Sequence, residues 1–175
     1  MRVAKPEIVE SSTISPILTR VRTIANQLLI RRSMNAVLVI GRILFAFIFI
    51  TSGIAHFAKL EMMTGYAKYK KLPAAKLGVI ASGLFFLLGG VYVALGFWVD
   101  LGALMLAITL ILAAVIFHNY WKETDATAKQ NEMIAFNKDL ALAGAALIIF
   151  ALIYSGSVSA DAFGPHLGNI SFFNK

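Results

Sequence analysis

Three polar side chains at the edges of apolar segments, His56, His118 and Asn137, are the residues best suited to chemistry. Imidazole titrates near neutral pH and can hydrogen-bond a quinone carbonyl, bind a metal or relay a proton, and an amide can both donate and accept. A shared polar cavity or quinone site is therefore one hypothesis. A bis-histidine haem site is a weaker one, because two histidines at helix ends are a weak signal. In the remaining alternative the histidines only end apolar segments beside aromatic anchors such as Trp121.

A second set of charged residues, Arg42, Asp100 and Asp161, fits a structural role. An arginine about two turns inside an apolar segment is costly in lipid unless it pairs or reaches the interface. Asp100 or Asp161 could supply the partner carboxylate. Alternatively, Arg42 extends unpaired to lipid phosphate. Neither alternative implies chemistry.

The composition predicts an integral membrane protein. Of 175 residues, 59% are hydrophobic and 14% are charged, and the mean hydropathy is +0.78. A soluble domain of this size needs a more polar surface. The chain has no cysteine, which excludes thiol–disulfide exchange and cysteine-ligated iron–sulfur clusters. No dinucleotide fingerprint, phosphate loop or HExxH motif is present, and three histidines argue against a self-contained metal enzyme.

Three apolar segments are long enough to span a bilayer, and a fourth, Leu140–Tyr154, would reach about 22 Å and needs the preceding residues from about 133. Helices are expected because lipid requires each backbone amide to be paired within its own segment. The predicted fold is therefore all-α, a transmembrane four-helix bundle at residues 34–158 with an N-terminal amphipathic interfacial helix. A C-terminal tail covers residues 159–175. The predicted spans are about 35–57, 77–97, 101–121 and 133–156.

The N-terminal tail, residues 1–33, carries a basic amphipathic pattern over Ser15–Arg31. Such a helix suits the headgroup layer of an anionic membrane, and packing on a partner subunit is the alternative. The first loop, residues 58–76, combines Tyr66 and Tyr69 with lysines and predicts a second, short interfacial helix. The Gly89-Gly90 pair is a candidate face for packing on other membrane subunits.

Because successive spans cross the membrane in opposite directions, the number of spans between two residues decides which side each lies on. This rule, called helix parity below, sorts the polar residues into two layers. With four spans, Arg42, Asp100 and Asp161 share the side of both termini, and His56, His118 and Asn137 share the other side. Arg42 and His56 are separated by nearly four helical turns, so they lie on one stripe, which also contains small residues. The stripe is therefore predicted to face the interior of the bundle.

Short motifs at these positions resemble the DoxX-like family of small four-helix membrane proteins. The resemblance covers about residues 38–163, with His56 where members commonly have Lys and Asp139 where Asn is frequent. It implies a membrane subunit that accompanies redox or sulfur-metabolism proteins. The motifs are "GRILFAFIFITSGIAHF" (41–57), "FHNYW" (117–121), "FNKDLALAGAALII" (136–149) and "SGSVSADAF" (155–163).

Two functions remain open at this point. The chain is either a subunit of a quinone-linked membrane oxidoreductase assembly, with its site at His56, His118 and Asn137, or a non-catalytic accessory subunit of a larger membrane complex. Its net charge of +7 is explained by anionic lipid headgroups, and no nucleic-acid-binding motif accompanies it. Basic residues flanking the first span favour both termini on the cytoplasmic side. We expect a multi-pass protein of the bacterial inner membrane.

Overall fold

The computed structural model describes residues 11–158 and 163–174, and within these ranges the chain is helical without strands, which confirms the all-α class. A short 3-10 turn, Tyr120–Lys122, follows the fourth helix. Four helices, α1, α3, α4 and α5, are long and apolar enough to cross a membrane. The helices are α1 (Ser11–Ala58), α2 (Leu60–Tyr69), α3 (Ala75–Leu95), α4 (Val99–Phe117) and α5 (Ala126–Tyr154).

Local signals explain where α3 ends and where α5 begins. Gly96 ends α3 in the left-handed conformation, with φ of 69°, which costs glycine little. The Asp125 side chain accepts a hydrogen bond from the amide of Ala128 at 2.7 Å and so caps α5. This cap places the start of α5 at Ala126 rather than near residue 133. In contrast, α4 ends at Phe117, before the predicted end at residue 121.

The first helix continues without a break from the amphipathic tail into the first span. No glycine or proline interrupts residues 17–40, so nothing in the sequence separates the two parts. At 1.5 Å per residue, 48 residues give a length of about 72 Å, over twice the roughly 30 Å hydrocarbon core. Residues 16–30 are exposed along this length. The predicted amphipathic helix is thus the N-terminal part of α1 and not a separate element.

The spanning helices pack in the order α1, α3, α4 and α5, and α2 packs on α3. Glycines allow two of these contacts to be close. A Cβ on Gly53 would lie 2.8 Å from the Gly83 carbonyl oxygen, and one on Gly89 would lie 2.9 Å from the Gly102 carbonyl oxygen. Gly89 and Gly90 are therefore buried inside the bundle, against α4 and α1, and do not form the outer face that the sequence suggested.

The C-terminal segment, residues 163–174, folds back over the turn between α3 and α4. The amides of Trp98 and Val99 donate to the carbonyls of Asn169 and Ile170 at 2.9 and 2.8 Å. Arg42 of α1 reaches the same segment. This end of the bundle is therefore the end that parity assigns to the termini, while α1 and α4 reach His56 and His118 at the opposite end.

Candidate functional site

Asp100 anchors the C-terminal segment at the first polar layer. Its side chain is fully buried at the start of α4. The carboxylate accepts hydrogen bonds from the Ser171 hydroxyl at 2.6 Å and from the Phe172 amide at 2.7 Å. It also accepts from the amides of Phe173 and Leu101 at 3.2 and 2.8 Å. These bonds compensate for burying the carboxylate and tie the C-terminal segment to the start of α4.

Arg42 lies beside this segment but does not pair with Asp100, whose oxygens are occupied by the C-terminal segment. Its Nη2 donates to the Pro165 carbonyl at 2.7 Å, and its guanidinium lies 4.7 Å from the centre of the Phe163 ring. With 7% of its surface exposed, Arg42 does not extend into lipid either. Asp161, the other predicted partner, lies outside the described residues.

A cavity of about 510 Å³ occupies the opposite half of the bundle, between α1, α3, α4 and α5. Most of its wall is apolar, with side chains such as Phe86, Ile108 and Leu112. Polar side chains from the ends of α1 and α4 and from α5 also line it: His56, His118, Lys138 and Asp139. The cavity therefore combines a long apolar wall with a small number of polar groups, as ligand sites usually do.

His56 lines the cavity from the last turn of α1. Its Nδ1 lies 2.7 Å from the Ser52 carbonyl oxygen, which can only accept, so Nδ1 carries a proton and donates. The ring packs edge-on against Phe86, with centroids 5.5 Å apart. Gly83 gives the imidazole room, because a Cβ there would lie 2.6 Å from the Cβ of His56. In the neutral tautomer with this proton, Nε2 is a hydrogen-bond acceptor, and no described residue bonds to that nitrogen.

His118 joins the end of α4 to two carboxylates on α5. Its Nδ1 donates to Glu132 Oε2 at 2.7 Å. Its Nε2 lies 3.6 Å from Asp139 Oδ2, close enough for electrostatic attraction but too far for a direct hydrogen bond. Lys138 Nζ lies 3.5 Å from the other oxygen of Asp139. Ionisable groups from two helices thus meet at the cavity.

The structure places Asn137 apart from the two histidines. Asn137 is exposed and does not line the cavity, whereas Asp139 is buried and does. Two residues advance a helix by about 200°, so Asn137 and Asp139 point to nearly opposite sides of α5. Asp139 shares the buried side with Ala143 and Ala146, at helical spacing. That spacing of small residues was the sequence signal that could have identified Asp139.

Helix α2 and the segment after it cover part of the cavity, a contribution that the sequence did not reveal. Met63, Tyr66 and Leu72 line the cavity from this side. The Tyr66 hydroxyl donates to Glu132 at 3.4 Å. Lys70 holds the end of α2 by donating to the Asn119 side chain at 3.2 Å. Burial raises the pKa of the Tyr66 phenol, and the nearby Glu132 carboxylate raises it further, so the phenol remains a donor at neutral pH.

The comparisons with known proteins give one match. The DoxX family model matches residues 37–119, and DoxX proteins are small membrane proteins. The match includes His56 and His118, but it ends before α5 and so leaves out Glu132 and Asp139. Neither the comparison with curated proteins nor the comparison with solved structures found a match. The DoxX resemblance is thereby confirmed for the first three spans.

Proposed function

From the premise that residues 37–119 match the DoxX family, we propose that this membrane protein is a subunit of a quinone-linked oxidoreductase assembly. The single observation that carries the proposal is the cavity of about 510 Å³, apolar along most of its wall and bordered by His56, His118 and Asp139. The polar groups would bind the ring oxygens of a quinone headgroup. The apolar side chains would contact the isoprenoid chain.

The fit to a quinone depends on both parts of the wall. Phe85 and Phe86 of α3 offer aromatic surface to a flat ring, and Ile108 and Leu112 of α4 offer aliphatic surface to a tail. His56 provides an unoccupied ring nitrogen. In a protein without an assigned site, an apolar cavity into which a few polar groups point is the first place to expect a bound ligand.

Electron transfer in this proposal requires a partner subunit. The chain has no cysteine with which to hold an iron–sulfur cluster. The subunit therefore binds the quinone, keeps water from it and handles its protons, while the redox group is carried by another protein. We propose other membrane subunits and anionic lipid headgroups as its partners.

Photolabelling tests the proposed site. An azido-quinone added to the purified protein in lipid nanodiscs should label peptides from α1, α3 and α4, and excess unlabelled quinone should suppress the labelling. His56→Ala should reduce labelling severalfold. His166→Ala is the matched control, because His166 lies in the C-terminal segment, where its Nδ1 donates to the Gly164 carbonyl at 2.9 Å. Equal labelling of both variants and the wild type would contradict the proposal.

The second candidate function is a non-catalytic accessory subunit. The observation that favours it is the exposed N-terminal part of α1, where Ile17, Val21 and Leu28 are about half exposed or more, next to basic residues. Removing residues 1–30 should leave the bundle folded and release the protein from its native complex. An unchanged complex after truncation, measured by native gel electrophoresis of solubilised membranes, would count against this function.

A further inference from the structure

The hydrogen-bonding groups at the cavity are mostly acceptors. The proton on Nδ1 of His56 is donated to Ser52, and that on Nδ1 of His118 is donated to Glu132. The hydroxyls of Ser82 and Thr109, which also line the cavity, donate to the carbonyls of Val79 and Met105 in their own helices. The Ser82 and Thr109 hydroxyls can therefore offer a ligand only lone pairs, as can Nε2 of a neutral His56, whereas Nε2 of His118 faces the Asp139 carboxylate at 3.6 Å.

Asp139 adds a carboxylate to these acceptors. It is 6% exposed and lines the cavity, and none of the described residues hydrogen-bonds to its side chain. Its oxygens have cationic or imidazole neighbours only at 3.5 and 3.6 Å. A buried carboxylate without a close donor is costly, so a ligand that donates a hydrogen bond to it gains that missing interaction.

We propose that the cavity selects the reduced ligand, a quinol, over the oxidised quinone. This inference rests on the proposed function and concerns the same site. A quinone carries carbonyl oxygens, which only accept, whereas a quinol carries two hydroxyl groups that can donate to Nε2 of His56 and to Asp139. The remaining donors at the cavity are the Ser52 hydroxyl, the Tyr66 hydroxyl, which already donates to Glu132 at 3.4 Å, and the ammonium of Lys138, which is half exposed and already near Asp139.

A competition between the two redox forms tests the inference. The wild-type protein in lipid nanodiscs is incubated without oxygen in an equal mixture of decylubiquinol and decylubiquinone. After removal of free ligand, the retained forms are extracted and their ratio is measured by chromatography, with empty nanodiscs as the baseline. We expect the protein to raise the ratio of reduced to oxidised ligand about tenfold, which corresponds to about 1.4 kcal/mol.

Two variants assign the preference to named atoms. Asp139→Asn replaces an acceptor with an amide that can donate to a quinone carbonyl, so the ratio should fall towards the baseline. Glu61→Gln is the matched control and should keep the wild-type ratio, because Glu61 is exposed on α2 and pairs with Lys76. If Asp139→Asn does not fold, His56→Gln makes the same exchange at the other acceptor.

The outcomes separate the inference from the proposed function. Retention of both forms above empty nanodiscs at the baseline ratio would overturn quinol selection and leave quinone binding intact. Retention of neither form would overturn both. A wild-type ratio in both Asp139→Asn and His56→Gln would overturn the assignment of the preference to these acceptors.

Discussion

At the scale of single residues, the side chain of Asp100 accepts three hydrogen bonds from the C-terminal segment. Asp100→Ala would leave the Ser171 hydroxyl and the amides of Phe172 and Phe173 without their acceptor. We expect a loss of about 1.5–3 kcal/mol in the free energy of unfolding, the usual range for a hydrogen bond to a charged group. Thermal unfolding in detergent measures the loss. Glu61→Ala, an exposed control, should change stability by no more than about 0.5 kcal/mol; equal effects would contradict the anchoring role.

The contact between His118 and Glu132 should be weakly stabilising despite its short distance of 2.7 Å. Hydrogen bonds between membrane helices average about 0.6 kcal/mol and rarely exceed about 2 kcal/mol. A double-mutant cycle with His118→Ala and Glu132→Ala should give a coupling energy in that range. The same cycle with His118→Ala and Glu61→Ala should give none, since Glu61 bonds to Lys76 instead. A coupling above 3 kcal/mol would show that the pair is a main determinant of stability.

At the scale of helices, the close contact of α3 with α4 depends on the absence of a side chain at Gly89. A Cβ there would lie 2.9 Å from the Gly102 carbonyl oxygen and from the Leu106 side chain, and backbone cannot move aside cheaply. Gly89→Ala should therefore destabilise the protein by about 1–3 kcal/mol. Gly144→Ala on α5 is the control: its Cβ would meet nothing within 4 Å, so helix propensity should make it neutral or stabilising by up to about 1 kcal/mol. Similar effects at both glycines would refute the packing argument.

The continuity of α1 can be measured as a distance. Spin labels on cysteines replacing Leu18 and Leu44, both exposed, should be about 39 Å apart along an unbroken helix. A tail that turned to lie flat on the membrane would shorten this distance. A control pair at Leu44 and Phe57, within the spanning part, should give about 20 Å in either case. If the distance between Leu18 and Leu44 were markedly shorter while the control distance stayed at about 20 Å, the tail would be a separate interfacial helix and α1 would not be continuous.

Sequence reasoning succeeded where one strong physical rule applies. The four spans follow from their apolar character, and helix parity places Arg42 with Asp100 at one end of the bundle and His56 with His118 at the other. It did not identify the continuity of α1, because amphipathic and fully apolar patterns favour helix equally and nothing in residues 17–40 marks a break. At the site, the sequence analysis proposed Asn137 and not Asp139, because the orientation of α5 depends on where Ala143 and Ala146 pack.

For the whole molecule, the two ends of the bundle differ in how their polar groups are used. At one end the C-terminal segment supplies close hydrogen-bond donors to Asp100. At the other end His56 and Asp139 keep acceptors that face a cavity. The two ends therefore differ at their buried carboxylates: Asp100 has close donors, which stabilise the fold, and Asp139 has none among the described residues, which suits a ligand.

Membrane topology gives the last prediction, which concerns the whole chain. Four spans return the C-terminus to the side of the N-terminus, and basic residues such as Arg20 and Arg22 before the first span favour the cytoplasm. Because the chain has no cysteine, single cysteines at Lys5, Tyr69 and Phe173 can be labelled without background. A membrane-impermeant maleimide should label Tyr69→Cys in intact cells, and Lys5→Cys and Phe173→Cys only in inverted vesicles. Labelling of Lys5→Cys and Phe173→Cys from opposite sides would refute the four-span topology, whereas a complete reversal of the pattern would refute only the cytoplasmic assignment.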